Sequence, residues 1–334
     1  MPRMGRDLVG CWTAEAFRGE ATDWVRSVLG PQGRALRGTL VPHRVRFWAA
    51  VLVGETDEGR VWFKATNTGQ GFEVPLLARL GALVPDHVVR PLAVEPARGW
   101  LLLPDGGPTL RERGEVTVAD WEGLVAQAAR MQVALVPHED ELAEAGLPGL
   151  PPQDAYAYAV DLVAELASRP VGDPQHVPAD EARLLRRGLE RIRSRLSDLA
   201  ASGVPLSLQP NDVSLSNTVR GRGAERFRFF DLGDGVWSHP FAALQVPVRL
   251  ATGAWSSPPA AGSPTADRLV RAYAEQWPQV RPGADLDRLV DTADRLASLH
   301  RCESWRRLLA HVDPDRLGTP TPRLADWLAD AARG

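Results

Sequence analysis

Residues 207–219, SLQPNDVSLSNTV, place a cluster of polar side chains between two apolar segments. Asp212 and Asn217 are separated by four residues, and no helix or strand period runs through them. The run RFRFFDLGDG at 226–235 then ends an apolar strand pattern at Asp231, just before Leu232 and Gly233. Asp and Asn are common in loops because their side chains bond nearby backbone, so each residue alone has an ordinary structural explanation.

Two further charged residues lie upstream in a β-rich part of the sequence. Lys64 closes the alternating strand pattern RVWFK, and Glu73 is the first acid after it, at the start of a helix pattern. An edge-strand lysine that discourages aggregation is one explanation of Lys64. An acid favoured by the helix dipole is one explanation of Glu73. The alternative is an ion pair that holds the lysine ammonium toward nucleotide phosphates.

The order of these residues along the chain favours the alternative. A strand lysine, a helix glutamate, D-x-x-x-x-N in a loop and a strand ending in D-x-G are the parts that kinase-type phosphoryl transfer uses, in that order. In such sites one carboxylate accepts the proton of the attacking hydroxyl. An asparagine and a second carboxylate hold Mg²⁺ on the phosphates, and the lysine supplies fixed positive charge.

The distribution of strand and helix patterns fits the same interpretation. After a helix pattern over 12–29, five strand patterns follow in ALRGTL, FWAAVLVGET, GRVWFKAT, DHVVRPLAVE and RGWLLLPDGG, with TDEG as a hairpin turn. Helix periods dominate afterwards, at 118–137, 152–168, 179–202, 240–253, 265–277, 284–300, 302–312 and 321–332. We predict an α+β fold with a small β-rich N-terminal lobe, 1–104, and a large mostly helical C-terminal lobe, 105–334.

At this level the chain resembles the aminoglycoside phosphotransferase-like enzymes, the small-molecule branch of the bilobal protein-kinase-like fold. The catalytic loop of that family usually reads H-G-D-L-H-x-x-N, and PNDVSLSN at 210–217 corresponds to it. FDLGDG at 230–235 resembles the metal segment, GFEVPLLARL the glutamate helix, and GWLLLPDGGPTLRE the approach to the hinge between lobes. The resemblance runs in order over roughly residues 35–305.

The resemblance implies a role for each site residue. Asp212 would be the catalytic base, and Asn217 and Asp231 would bind Mg²⁺. Lys64 would bind the phosphates of ATP, and Glu73 would orient Lys64.

The resemblance also implies an ATP- and Mg²⁺-dependent kinase that phosphorylates a hydroxyl of a small molecule. Adenine would stack near Leu102, Leu103 and Pro104, with hydrogen bonds to the backbone. The acceptor stays open among antibiotics, sugars and amino alcohols. A polycationic acceptor would favour an acidic pocket, to which Asp140, Glu141, Glu144, Asp154 and Asp161 are candidates.

Two departures from the family pattern leave alternatives open. Pro210 stands where the family has histidine, which motivates a second hypothesis, a nucleotide-binding pseudokinase or regulatory module without turnover. The segment VPHRVRF, expected between the first two strands, lacks the glycines that kinases use near phosphates. Arg44 or Arg46 would supply charge instead, or the segment is simply a solvated basic hairpin.

Composition narrows the remaining function classes. The 334 residues carry a net charge of −3 with a pI near 6.2, so no basic excess indicates nucleic acid. No window approaches the roughly 18 apolar residues of a membrane span, and no signal peptide pattern is present at the N-terminus, so we expect a cytoplasmic location. Some polar and aromatic residues remain open: Asp234 as an acid near the metal, His239 as a helix cap, and Trp237 and Trp255 as cleft residues.

Overall fold

The computed structural model describes residues 7–221, 227–254, 262–280 and 285–333. Its N-terminal part begins with helices α1 (Leu8–Thr13) and α2 (Glu15–Leu29). An antiparallel sheet with the order β1-β2-β3-β5-β4 follows. Its strands are β1 (Leu36–Arg46), β2 (Ala49–Thr56), β3 (Gly59–Thr66), β4 (Ala93–Glu95) and β5 (Trp100–Pro104), with helix α3 (Glu73–Leu83) between β3 and β4.

The two faces of this sheet make different contacts, because successive side chains of a strand point to opposite faces. On one face, Phe63 of β3 packs edge-on against Trp24 of α2, with ring centroids 5.8 Å apart, and against Trp100 of β5 at 5.2 Å. Lys64, the next residue, points to the opposite face. Helices α1 and α2 therefore cover the back of the sheet, and the lysine face is turned toward the rest of the molecule.

The C-terminal part is mostly helical. Helix α7 shows why: its buried residues include Leu185, Leu189, Ile192 and Leu196, spaced by three or four, which puts them on one face of the helix. The helices are α4 (Val118–Leu135), α5 (Glu139–Glu144), α6 (Pro152–Ala167), α7 (Ala179–Ala200), α8 (Gln245–Ala251), α9 (Pro264–Ala274), α10 (Leu286–Leu309) and α11 (Leu324–Ala331).

Four short strands interrupt the helices between α7 and α8. They are β6 (Ser207–Gln209), β7 (Thr218–Arg220), β8 (Phe227–Phe229) and β9 (Val236–Ser238). β6 pairs with β9 and β7 pairs with β8, both antiparallel. The segment between β6 and β7 and the segment between β8 and β9 consequently lie side by side, and they carry the polar residues singled out in the sequence.

The predicted α+β organisation, with a β-rich N-terminal lobe and a helical C-terminal lobe, is confirmed. Some boundaries were wrong. The residues of VPHRVRF up to Arg46 do not form a loop but continue β1, because they pair with β2. The helices predicted at 284–300 and 302–312 form one continuous helix, α10. The strand predicted over DHVVRPLAVE is reduced to three residues, and β6 and β9 were missed.

Two hydrophobic clusters form the core of the described residues, and α10 contributes to both. Leu296 and Leu299 belong to the cluster of the C-terminal helices, whereas Leu308 belongs to the cluster beneath the sheet. Trp305 packs against both clusters. Among the helices of the described ranges, none combines the length and apolar character that a membrane crossing requires.

Candidate active site

The loop after β6 is held in an unusual backbone conformation. Asn211 has φ of +66°, in the left-handed region where Asn is better tolerated than most side chains. Its N–H donates to Oε1 of Gln209, and its side chain reaches the backbone oxygen of Asp234 at 3.4 Å. Asn211 occupies the position of the glycine in the resembling H-G-D motif, so the asparagine fits a backbone that favours glycine. The turn fixes the direction in which the next residue points.

Asp212 follows this turn, and a hydrogen bond from Asn217 orients its carboxylate. Asn217 Nδ2 donates to Asp212 Oδ2 at 2.8 Å, and Arg301 of α10 lies 4.0 Å from Oδ1. Burial raises the pKa of Asp212 above its usual range, Arg301 opposes this rise, and the carboxylates of Asp234 and Asp231 add to it. A carboxylate with a raised pKa is a better proton acceptor when it is ionised.

Asp231 also adopts a left-handed backbone conformation, with φ of +61°. Its Oδ1 accepts from Lys64 Nζ at 2.5 Å. Burial alone would raise the pKa of Asp231, but Lys64 outweighs burial and, together with Arg44, lowers it. Gly233 packs closely behind, since a Cβ there would lie 3.1 Å from Oε2 of Glu73. The glycine of D-x-G thus permits close packing against α3.

Lys64 lies between two carboxylates. Its ammonium is 2.6 Å from Oε2 of Glu73 and 2.8 Å from Oε1, in addition to the contact with Asp231. Oε1 of Glu73 also accepts the backbone N–H of Leu232 at 3.2 Å, which ties α3 to the D-x-G segment. Burial disfavours the charged ammonium, but Asp231 and Glu73 outweigh it, so the pKa of Lys64 lies above its usual range. Lys64 is therefore a fixed positive charge.

The residues predicted to hold Mg²⁺ have oxygens that suit a hard cation. The side-chain nitrogen of Asn217 donates to Asp212, so the side-chain oxygen of Asn217 is the atom that could bind a metal ion. Lys64 contacts Oδ1 of Asp231, which leaves Oδ2. A backbone hydrogen bond of 3.1 Å from the N–H of Phe230 to the oxygen of Asn217 brings the segments that carry Asn217 and Asp231 together. No group of three His, Cys, Asp or Glu in the described ranges could hold a metal ion, but Mg²⁺ bound on nucleotide phosphates needs only one or two carboxylates.

A cavity of about 530 Å³ opens at this point. Asp212, Asn217 and Asp231 line it together. The described residues that complete the lining are Arg44, Trp48, Gln70, Arg111, Trp121, Ser214, Leu215, Ser216, Asp234, Val246, Leu250, Arg301, Trp305 and Leu308.

The predicted adenine-binding residues lie in β5, outside this lining. Leu103 pairs with Trp62 of β3, on the same face as Lys64, and Pro104 pairs with Val61. The side chain of Leu102 is fully buried in the cluster beneath the sheet. The backbone oxygen of Leu102 accepts the N–H of Leu92 at 2.7 Å, so Leu103 is the member of this set whose side chain lies on the face of Lys64.

Several other candidates are not in the cavity. The acids at 140, 141, 144, 154 and 161 do not line it, and Glu141 instead pairs with His138 at 2.8 Å. Trp237 is buried in β9, and Trp255 lies outside the described residues. His239 stands at the N-cap position before Pro240, but its side chain makes no capping hydrogen bond. It is buried, and burial lowers its pKa to about 3.

The sequence interpretation missed residues that support the loop. Gln209 Nε2 donates to Nδ1 of the buried His300 at 3.2 Å. Arg301 donates to the backbone oxygen of Asn211 at 3.1 Å, and Ser304 donates to Asp234. Gln70 donates to the same Asp234 oxygen at 2.7 Å. No motif marks His300, Arg301 and Ser304 in the sequence, because they come from a helix far from the loop.

Comparison with known proteins gives matches in structure but not in sequence. No family model matches this chain, and neither does any curated protein sequence. A type I macrolide 2′-phosphotransferase superposes with a TM-score of 0.58 at 16% identity, covering 96% of this chain and 99% of that one. A macrolide 2′-phosphotransferase of Brachybacterium faecium gives 0.52 at 19%, covering 91% and 100%.

A third match, a putative aminoglycoside phosphotransferase from Ralstonia eutropha, gives a TM-score of 0.58 at 12% identity, covering 93% of this chain and 96% of that one. Identities this low establish the fold rather than the reaction. The resemblance predicted from the motifs is thus confirmed at the level of architecture: the chain has the bilobal, protein-kinase-like fold of the aminoglycoside phosphotransferase-like proteins.

Proposed function

We propose that the chain is a small-molecule kinase that transfers the γ-phosphoryl group of ATP to a hydroxyl. The observation that carries the proposal is Lys64 bonded to both Glu73 and Asp231, with Asp212 and Asn217 on the wall of the same cavity. Segments 1–104 and 105–334 would form the two lobes around the nucleotide. Leu102, Leu103 and Pro104 would receive its adenine.

In the proposed reaction, Asp212 accepts the proton of the acceptor hydroxyl. The hydroxyl oxygen forms the new bond to the γ-phosphorus, and the bond from that phosphorus to the bridging oxygen breaks, so that ADP leaves with the bond electrons. Asn217 keeps the carboxylate of Asp212 in a single orientation through their 2.8 Å hydrogen bond. Positioning and electrostatic stabilisation supply most of the catalysis in this chemistry.

Lys64 and Mg²⁺ would compensate the negative charge of the phosphates. Glu73 holds the ammonium of Lys64 in place, in contact with Asp231, which lines the cavity. Asn217 and Asp231 would hold Mg²⁺, which would neutralise the charge that develops on the phosphate oxygens. Asp231 is suited to this because its pKa is lowered and its carboxylate stays ionised.

The lining also bears on the acceptor. Beyond Asp212, Asp231 and Asp234, the described lining contains no further carboxylate, whereas Arg111, Trp48 and Trp121 are present. A polycation needs additional carboxylates for its ammonium groups, so this lining supports an acceptor with few positive charges and some apolar surface.

A screen with radiolabelled ATP tests the reaction. The acceptors would include polycationic aminoglycosides, amino alcohols, neutral sugars, and apolar or anionic alcohols. With any acceptor found, Asp212→Asn should lower kcat by at least about 100-fold while ATP binding is kept. The matched control is Asp161→Asn, an exposed acid of α6 outside the cavity, which should change nothing.

Thermal shift measurements separate the reaction from the pseudokinase hypothesis. The kinase predicts that ATP stabilises the protein more in the presence of Mg²⁺ and that label reaches an acceptor. Metal-dependent stabilisation without transfer to any acceptor class would favour the pseudokinase, and full activity of Asp212→Asn would refute the assignment of the base.

A further inference from the structure

Arg44 lies in a row of residues that crosses the sheet to Lys64. Arg44 of β1 pairs with Val51 of β2, and Val51 pairs with Lys64 of β3. Directly paired residues in an antiparallel sheet project from the same face. Arg44 therefore projects on the face of Lys64, toward the cavity that Arg44 lines together with Asp231.

An irregularity in β1 brings Arg44 into this row. Pro42 pairs with Leu52, but the next pair joins Arg44 to Val51, so His43 is an extra residue. In a regular ladder His43 would oppose Val51, and Arg44 would project from the other face. A β-bulge of this kind redirects a side chain and often occurs beside active sites. The extra residue is accommodated by packing, since the ring of His43 lies edge-on to Trp62 with centroids 5.0 Å apart.

The backbone here cannot provide the phosphate cradle that kinases build from glycines. Val41–Arg46 contains no glycine, runs as an extended strand, and has no N–H at Pro42. The backbone of Arg44 pairs with β2, whereas its guanidinium makes no hydrogen bond or ion pair with any residue that the structure describes. Arg46, two residues further on, does not line the cavity and donates to the Val45 carbonyl.

We propose that Arg44 binds the phosphate oxygens of the nucleotide, in place of a glycine-rich loop. This inference rests on the proposed function, since it requires a nucleotide in the cavity. The planar guanidinium suits the oxygens of phosphate because it can donate two parallel hydrogen bonds. With Lys64 in the same row of the sheet, it supplies a second cation for the phosphate chain.

Calorimetric titration of the full-length protein with ATP, ADP and adenosine, each with Mg²⁺, tests the inference. Arg44→Ala should weaken ATP binding by roughly 10- to 100-fold, as expected for a charge-assisted hydrogen bond. It should leave adenosine binding within about twofold, because adenosine carries no phosphate. Arg44→Lys should lose less than Arg44→Ala, since it keeps the charge but not the fork. Arg46→Ala removes the same charge from the same strand and should bind ATP like the wild type.

The outcomes separate the inference from the proposed function. Wild-type protein that binds none of the nucleotides refutes both. ATP binding by the wild type that Arg44→Ala leaves unchanged refutes only the role of Arg44. An equal loss of ATP affinity in Arg46→Ala would mean that general positive charge is responsible. An equal loss of adenosine affinity in Arg44→Ala would mean that this variant disturbs the fold. Either result refutes a direct contact between Arg44 and phosphate.

Discussion

His300 and Gln209 are joined by a buried hydrogen bond between α10 and the start of the loop that carries Asp212. Gln209 Nε2 donates to His300 Nδ1 at 3.2 Å, while His300 Nε2 donates to the backbone oxygen of Leu150 at 3.0 Å. Oε1 of Gln209 accepts the N–H of Asn211, the residue before Asp212. A histidine of α10 thus supports this loop through Gln209, whereas position 210 carries a proline.

Breaking this connection should slow the reaction more than it weakens nucleotide binding. We expect His300→Gln to lower kcat by at least about tenfold, since small misplacements of a catalytic group are costly, with the Kd for ATP within about twofold. The control His176→Gln alters a histidine that bonds the Arg169 carbonyl at 2.8 Å, away from the cavity, and should keep full activity. Unchanged kcat in His300→Gln would show that the loop does not depend on α10.

Two buried histidines should make stability fall in mild acid. Burial lowers the pKa of His300 and of His239 from 6.5 to about 3. Between these pH values the unfolded chain binds protons that the folded chain excludes, so the free energy of unfolding decreases as pH falls. Each histidine should cost about 2 kcal/mol at pH 5 relative to pH 7. Urea unfolding at both pH values measures this, and His239→Phe should reduce the loss; an equal loss in the variant would contradict the prediction.

The pair of Lys64 and Glu73 should show strong energetic coupling. Lys64→Met leaves the Glu73 carboxylate, only 1% exposed, without its nearest partner. We expect this variant to lose about 3 kcal/mol in the free energy of unfolding. Adding Glu73→Gln should recover most of that loss, because the buried charge is gone. A double-mutant cycle by urea unfolding gives the coupling, and additivity within about 0.5 kcal/mol would exclude it.

Gly69 should not tolerate even one methyl group. A Cβ at this position would lie 2.2 Å from the backbone oxygen of Arg307 in α10, and that backbone has little room to move. We expect Gly69→Ala to cost about 2 to 3 kcal/mol. The control Gly19→Ala, at an exposed position in α2 with no atom within 4 Å, should instead stabilise the protein by about 1 kcal/mol. Similar melting temperatures for the two variants would disprove the close contact.

The sequence was informative where the site is built from local segments. Asp212, Asn217 and Asp231 stand in short loops, Lys64 lies in a strand and Glu73 begins a helix, so the order of these residues indicated the fold. Their roles stay predictions. The support from α10 had no such signal, because His300 lies 91 residues from Gln209 in sequence.

The register of the strands could not be predicted from the sequence either. The bulge at His43 decides which face Arg44 occupies, yet β1 pairs with β2 through interactions that no spacing in β1 alone reveals. The strands β6 and β9 have three residues each, too few for a period to be recognised.

The continuity of α10 has a consequence for how the molecule loses its structure. Its 24 residues supply Leu296 and Leu299 to one hydrophobic cluster and Leu308 to the other. Fraying of this helix would therefore remove packing from both clusters at once. Although the chain has two lobes, we expect it to melt in a single cooperative transition, with α10 as the element that makes the two lobes one unfolding unit.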